Sequence, residues 1–295
     1  MTLPEQPAPV AMERAPILVW QSTAILATTL SLAAFWILVV AHAPAGFPHF
    51  ALSVGICCAL ALAAWILHAV TPMAACTGAL LALSLSISGQ IWWRSPLVPM
   101  LAVFLLTHVA TRFRRERKEK RGLAEARRGR AASQIAANVG VAASVLPLAS
   151  AHDWLPSVLP CFFCGAAVLP AIVAALAEAA ADTVSSEMGQ ALSGQPRMIT
   201  TGRRVPPGTD GAISIAGTMA GAAGAGIVVL VSLAVLHLSP LAAILAFAGA
   251  NFGLFVDSLL GATLERWGWL NNDAVNFSST LAAAASAGLL ASVYL

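Results

Sequence analysis

The sequence predicts an all-α polytopic integral membrane protein with about nine transmembrane helices. Of its 295 residues, 59% are hydrophobic and only 10% are charged, and the mean hydropathy is +0.82. Uncharged runs recur along the chain at lengths near the roughly 20 residues that a helix needs to cross a hydrocarbon core about 30 Å thick. A soluble globular domain does not have this composition, so that class is excluded.

Hydropathy places the helices in nine windows, of which the fourth is unusually short. In chain order the windows are 17–41, 51–70, 73–93, 97–111, 133–151, 158–182, 211–237, 240–262 and 276–294. The first window is far longer than the apolar core of a signal peptide, so we interpret it as a membrane helix. The windows divide the chain into a four-helix membrane region over 1–111, a basic loop over 112–130 and a five-helix membrane region over 131–295.

The basic residues predict the orientation of the chain. Ten of the sixteen Lys and Arg residues fall between positions 112 and 130, and such a cluster beside a membrane helix marks the cytoplasmic side. Counting spans from this loop puts the N-terminus and the loops 183–210 and 263–275 in the cytoplasm as well. We therefore expect a multi-pass protein of a bacterial-type plasma membrane, with its motif loops facing the cytoplasm. No aromatic platform accompanies the basic run, which argues against nucleic acid as a partner.

Acidic residues inside or at the ends of the predicted helices indicate where function lies. These are Glu178, Asp182, Glu187 and Asp257, and a carboxylate at the middle of a bilayer costs about 2.5–3.5 kcal/mol to bury. Asp182 and Asp257 lie at the cytoplasmic ends of the sixth and eighth predicted spans. Glu178 lies one turn deeper than Asp182 on the same helix face, and Ser185 continues that face. A polar site between helices, open to the cytoplasm, is the expected arrangement.

The sixth and seventh spans resemble the eighth and ninth. Each unit reads as a helix, an Asp followed by Thr or Ser (Asp182 or Asp257), a loop, a second Asp (Asp210 or Asp273) and a helix rich in small residues. Both units have the same orientation, as parallel repeats do. We hypothesise that the two pairs form facing half-sites. The alternative is chance similarity among helices rich in Ala and Gly.

The loop 196–211 is the most distinctive segment of the chain. It contains Arg203 and Arg204, and it ends where the seventh span begins. Thr209 or Asp210 can cap that helix, which would leave backbone N–H groups and a positive dipole end near two guanidinium groups. This combination suits a phosphate. The alternative is an ordinary helix cap beside basic residues that anchor the loop in the cytoplasm.

Motifs over the last two thirds of the chain resemble the transmembrane protein 19 family, long known only as a domain of unknown function. The segments that carry the resemblance are 181–189, 197–211, 214–218, 257–265 and 272–276, and a weaker match runs from Arg127 to Asn138. The family includes plant phytyl-phosphate kinase, and it is distantly similar to CTP-dependent dolichol and phytol kinases. The resemblance implies transfer of a phosphoryl group from a nucleoside triphosphate, with CTP the expected donor, to a prenyl monophosphate in the lipid bilayer.

This chemistry requires metal-binding carboxylates and cationic or N–H groups that bind phosphate. Mg²⁺ is the expected metal, held by Asp182, Asp257 and Glu187, with Asp210 as a further catalytic residue. The residues expected to bind substrate or nucleotide are Arg203, Arg204, Ser185, Gly208, Thr209, Gly211, Asn272, Asp273 and Asn276. The sequence contains neither a Walker A motif nor the protein-kinase signatures, so the nucleotide site would be an unconventional one.

Two other functions fit the same residues. A transporter or lipid flippase could use Glu178, Asp182 and Asp257 to relay protons or bind a cation, since intramembrane acids and parallel repeats are common in transporters. A transporter requires polar groups through the depth of the membrane, whereas the acids here cluster toward one face. A purely structural membrane scaffold is the third reading, and it leaves the burial of the acids unexplained.

Overall fold

The computed structural model describes residues 18–43, 49–89, 91–123, 129–154, 163–192 and 194–295. Within these residues the chain folds into ten α-helices and one short two-stranded sheet. The helices are α1 Val19–Ala41, α2 Phe50–Ile66, α3 Pro72–Ser86, α4 Leu97–Arg112, α5 Arg115–Glu119, α6 Ala132–Trp154, α7 Val168–Leu192, α8 Ile215–Leu236, α9 Pro240–Leu260 and α10 Asn272–Tyr294. The all-α polytopic fold is confirmed. Arg127 and Arg128 of the basic loop, and the predicted start of the sixth window at 158, lie outside the described residues.

Each of the nine predicted windows overlaps a helix, and α5 is an additional short helix in the basic loop. Among the described residues, six helices are long and apolar enough to cross a membrane, namely α1, α6, α7, α8, α9 and α10. The other three apolar helices, α2, α3 and α4, have 17, 15 and 16 residues. They are shorter than the roughly 20 residues of a typical span.

The predicted end of the sixth window was wrong. The helix α7 continues to Leu192, so Asp182 lies within it and not at its end. The residues after Asp182 lowered the hydropathy, yet Thr183 and Ala191 are still buried between neighbouring helices. Hydropathy predicts which residues are buried in lipid and not where a helix ends. A helix can extend beyond the apolar segment when one of its faces packs against other helices.

Two helix starts also differ from the prediction, because a side chain caps each of them. Ser214 caps α8 by accepting a hydrogen bond from the Gly217 amide at 3.1 Å, so the predicted caps Thr209 and Asp210 were wrong. Asn271 caps α10 by accepting one from the Ala274 amide at 2.8 Å. Helix α10 therefore begins four residues before the predicted 276.

The helix α7 forms the centre of the bundle. It packs against α4, α6, α8, α9 and α10, and every residue from 170 to 181 is buried. Most of these residues are Ala, which lets the neighbouring helices approach closely. We call the end of the bundle formed by the C-terminal ends of α7 and α9 and the N-terminal ends of α8 and α10 the polar end.

Glycines on α8 bring this helix against the backbone of α7. A Cβ atom at Gly221 would lie 2.8 Å from the carbonyl oxygen of Ala181, and one at Gly217 would lie 2.7 Å from that of Ser185. Such contacts replace the hydrophobic driving force that is absent between helices in lipid. The small residues of α8 therefore serve helix packing at both positions.

We expect Gly221→Ala to destabilise the fold by about 1–3 kcal/mol, because the added methyl group overpacks the contact with α7. Gly226 is its matched control on the same helix, where a Cβ would meet only Phe247, at 3.8 Å. Gly226→Ala should be neutral or stabilising, since Ala favours a helix over Gly by about 1 kcal/mol. Thermal unfolding in detergent, followed by tryptophan fluorescence, measures both variants. Equal midpoints would contradict the close contact.

Candidate functional site

A polar cavity of about 290 Å³ opens at the polar end of the bundle. It lies between α6, α7, α9 and α10, and the loop before α8 forms one side. Ten of the thirteen predicted site residues line it, namely Asp182, Ser185, Glu187, Gly208, Thr209, Asp210, Gly211, Asp257, Asn272 and Asn276. The other three, Arg203, Arg204 and Asp273, do not. Residues that are far apart in the sequence, such as Asp182 and Asn276, thus meet in one cavity.

Two carboxyl groups face each other in this cavity. Asp182 on α7 and Asp257 on α9 both line it, and they are close enough to interact electrostatically. The Oδ1 atom of Asp257 is buried and has no hydrogen-bond partner among the described residues. Adjacent carboxylates repel each other, so the pair requires either a shared proton or a cation. Arg130 is close enough to act on Asp182 electrostatically.

The pairing of Asp182 with Asp257 agrees with two half-sites that face each other. The likeness does not extend to the second Asp of each unit. Asp210 is exposed and lies at the rim of the cavity. Asp273 lies outside it and accepts a hydrogen bond of 2.6 Å from the Ser22 hydroxyl, which joins α10 to α1. We therefore assign Asp273 a structural role and remove it from the predicted substrate-binding residues.

A third acid lies one helical turn below the pair. Glu178 is only 1% exposed, and its Oε1 atom has no hydrogen-bond partner among the described residues. Gly253 makes room for this side chain, since a Cβ there would lie 2.7 Å from the Cγ atom of Glu178. Across the described part of the chain, no three His, Cys, Asp or Glu residues converge on one metal position. A metal ion held by the Asp pair would complete its coordination with water and substrate oxygens.

Glu187 does not join the acidic pair, although the sequence analysis placed it among the metal ligands. Its carboxylate is ion-paired with Lys118 of α5, and Lys118 also donates to the carbonyl oxygens of Ala110 at 3.2 Å and Thr111 at 2.8 Å. Glu187 is five residues beyond Asp182, so it projects from a different face of α7. The ion pair attaches α5 to the end of α4 and to α7. Sequence reasoning missed Lys118, because nothing distinguishes it from the other basic residues of its loop.

The loop before α8 reaches the cavity through Pro196 and residues 207–214, and not through its arginines. Its strands β1 Arg197–Met198 and β2 Ala212–Ile213 pair antiparallel, and Gly211 (φ +74°) packs where a Cβ would lie 2.2 Å from the Ala262 nitrogen. This contact seats the loop on the π-helical turn that follows α9, Gly261–Glu265. The turn between the strands carries Arg203 and Arg204 outward, and both are exposed. The predicted phosphate cradle from these two arginines is not assembled.

Arg130 supplies the guanidinium group of the cavity, and the sequence analysis did not assign it to the site. Its backbone is fixed against the α2–α3 turn: its amide donates to the Ala69 carbonyl, and its carbonyl accepts from the Thr71 amide, both at 3.0 Å. Nearby, the side-chain amide of Asn276 donates to Asn138 at 3.2 Å and joins α10 to α6. The weak motif match between Arg127 and Asn138 was the one sequence signal for this region.

The sequence model of the family described as "Integral membrane protein DUF92" matches residues 55–284, which is most of the chain. The chain belongs to this family. The resemblance stated from the motifs, to the family that includes plant phytyl-phosphate kinase, is thereby confirmed.

Three relatives of this DUF92 protein come from three different organisms. An uncharacterized membrane protein of Synechocystis is 35% identical over 203 residues, which are 66% of this chain and 73% of the relative. One of Methanocaldococcus jannaschii is 43% identical over 110 residues, 37% of this chain and 45% of the relative. "Protein VTE6, chloroplastic" of Arabidopsis thaliana is 28% identical over 195 residues, 64% of this chain and 57% of the relative. The matches thus span about half the length of the second and third relatives. No solved structure matches the chain.

The DUF92 motif segments converge on the cavity. Parts of 181–189, 197–211, 214–218, 257–265 and 272–276 all line its walls. The cavity is therefore where the recognisable features of the family meet in this chain.

We expect Lys118→Met to destabilise the protein by about 3–5 kcal/mol, because it leaves the largely buried carboxylate of Glu187 without a counter-charge. The double variant Lys118→Met/Glu187→Met should recover most of that loss, since neither charge remains. Lys120→Met, at an exposed lysine of the same segment, is the control and should leave the unfolding midpoint unchanged. Thermal unfolding in detergent measures all three. If the single and double variants unfold alike, the ion pair does not hold α5 on α7.

Proposed function

We propose that this chain is an isoprenyl-phosphate kinase. It transfers a phosphoryl group from a nucleoside triphosphate, with CTP the expected donor, to a membrane-embedded prenyl monophosphate. The observation that carries the proposal is the facing pair Asp182 and Asp257, in a polar cavity that also contains the guanidinium group of Arg130. Such a combination of acids and a cation suits phosphoryl transfer, which consists mainly of positioning and charge neutralisation.

The acidic pair fits Mg²⁺. This ion is commonly held by one or two carboxylates, together with water and substrate phosphates, and it does not require a complete cage of protein ligands. The unpartnered Oδ1 atom of Asp257 offers a ligand position beside Asp182. When bound, Mg²⁺ would neutralise the charge of the donor phosphates. Glu187 lines the cavity but is not proposed as a metal ligand, because its carboxylate is ion-paired with Lys118.

The remaining polar groups would orient the two phosphates. Arg130 can bind a phosphate through two parallel N–H···O bonds, while Ser185 and Asn276 line the same cavity and can donate hydrogen bonds. An oxygen of the prenyl monophosphate would attack the terminal phosphorus of the donor, and the bond to the bridging oxygen would break to release the nucleoside diphosphate. The acceptor phosphate is already ionised at neutral pH, so no dedicated base is required.

We propose that the polar end faces the cytoplasm of a bacterial-type plasma membrane. Exposed arginines surround this end, namely Arg197, Arg203, Arg204 and Arg266. Basic residues beside membrane helices are retained on the cytoplasmic side, which is where nucleoside triphosphates are available. Arg203 and Arg204 then serve as orientation signals and not as ligands of the transferred phosphate.

A transporter or lipid flippase is the second candidate, and Glu178 is the observation that favours it. A fully buried carboxyl group with an unpartnered oxygen is typical of proton and ion pathways. The residues that line the described cavity of the other two acids lie toward the polar end. A kinase requires one open face, whereas a transporter requires access from both. We therefore favour the kinase.

The kinase is tested with purified protein, labelled CTP or ATP, Mg²⁺ and a panel of prenyl monophosphates, with the prenyl diphosphate as the product measured. We expect Asp182→Asn and Asp257→Asn each to lower kcat/KM by about 100-fold or more, since each removes a charge from the phosphate site. Asp273→Asn is the matched control, because Asp273 lies outside the cavity and Asn can still accept from Ser22. It should retain activity.

Full activity in Asp182→Asn would show that the central assignment is wrong. The kinase would be rejected if wild-type protein formed no product with any donor while a cooperative thermal unfolding transition showed that the protein is folded. Flux of protons or labelled prenyl phosphate into proteoliposomes would then be measured, with Glu178→Gln as the variant that a transport pathway should not tolerate.

A further inference from the structure

A second cavity, of about 190 Å³, lies beside the polar one and is mainly apolar. We call it the apolar groove. It is formed by α2, α3, α4 and α6, and Leu60, Ala64, Ala79, Leu101 and Phe104 are among its lining residues. The acidic pair does not reach it, and no Asp or Glu occurs among the described residues that line it. The phosphoryl-transfer site does not account for this cavity.

The apolar groove and the polar cavity are contiguous. Arg130 and Asn138 line both of them, so one guanidinium group lies at their junction. Its position is consistent with its electrostatic action on Asp182 on one side and on His108 on the other. The backbone hydrogen bonds of Arg130 with Ala69 and Thr71 hold this residue at the junction of the two cavities.

The groove is itself polarised along its length. Arg112 and Arg115 line it together with Arg130 at the polar end, and the rest of the wall consists largely of aliphatic residues from α2, α3 and α4. A cationic end followed by an uncharged apolar channel is complementary to an amphiphile with an anionic head and a hydrocarbon tail. A nucleotide, which is polar throughout, does not match this pattern.

We propose that the apolar groove binds the isoprenoid tail of the acceptor, and that Arg130 binds the acceptor phosphate at the junction. This inference rests on the proposed kinase and identifies the part of the chain that selects the substrate tail. It assigns tail recognition to α2, α3 and α4, and phosphoryl transfer to α7, α9 and α10. The junction then positions the acceptor phosphate at the edge of the cavity that contains Asp182 and Asp257.

Gly78 on α3 offers a way to narrow the groove without disturbing the fold. It lines the groove, and a Cβ there would meet only the Cγ2 atom of Ile135, at 4.0 Å. Gly55 on α2 is the matched control, because a Cβ there meets nothing within 4 Å and the residue does not line the groove. Both lie within apolar helices, so replacement of each by Leu has the same effect on helix propensity.

Two acceptors of different tail length, geranylgeranyl and geranyl monophosphate, test the assignment. We expect Gly78→Leu to lower the ratio of kcat/KM for the longer tail to that for the shorter one by about tenfold, the effect of displacing about two buried methylene groups. Gly55→Leu should leave this ratio unchanged. An equal ratio in both variants and the wild type would overturn the proposal.

Photo-crosslinking provides a readout that does not depend on catalysis. Geranylgeranyl monophosphate with a diazirine at the end of its tail should label peptides of α2, α3 and α4, and unlabelled geranylgeranyl monophosphate should compete. Arg130→Gln should reduce the labelling about tenfold, because it removes the charge that holds the phosphate. Labelling confined to the lipid-exposed residues of α8 and α9 would overturn the assignment, as would competition by phosphatidic acid alone.

The diphosphate assay and the photo-crosslinking together distinguish failure of the tail site from failure of the kinase. Groove labelling that prenyl phosphate displaces, in a protein that forms no diphosphate, would reject the kinase and retain the tail site. Formation of diphosphate together with labelling outside the groove would retain the kinase and reject the tail site.

Discussion

The rest of the structure depends on the burial of carboxyl groups along one central helix. Each acid within a membrane bundle costs about 2.5–3.5 kcal/mol unless polar neighbours or ions compensate it. Here Glu178 and Asp182 occur on α7, the helix that packs against most of the others. The neighbours of α7 must therefore pack tightly enough to exclude lipid from these groups. They must also carry the polar partners, of which Asp257 is the most important.

Small residues meet both requirements. Gly217 and Gly221 bring α8 against the backbone of α7, and Gly253 allows α9 to pass directly over Glu178. The close approach of α9 also brings Asp257 to Asp182. The same principle continues outside the helices, where Gly211 seats the loop before α8 on the turn after α9. Close packing at glycine thus determines the geometry of the polar cavity.

The molecule places two different environments on either side of α6. One contains the acids, the asparagines and the loop at the polar end, and the other is the apolar groove of the N-terminal helices. Arg130 contributes to both. This division matches the chemistry of a substrate whose reacting phosphate is in water and whose tail is in lipid. The ion pair of Lys118 with Glu187 holds the basic segment beside this boundary, and so accounts for the burial of this lysine.

The sequence by itself determined the membrane class, the apolar helices and the acidic residues of the site, since each follows from the cost of exposing backbone or charge to lipid. It did not determine where α7 ends or which arginine reaches the cavity. It also did not reveal that Glu187 is neutralised by a lysine 69 residues away. Those outcomes depend on contacts between distant segments: the packing of α8 at Gly217 on the last turns of α7, the pairing of β1 with β2, and the backbone hydrogen bonds of Arg130 with Ala69 and Thr71. Local patterns report what a residue costs to bury, and only the tertiary structure selects its partner.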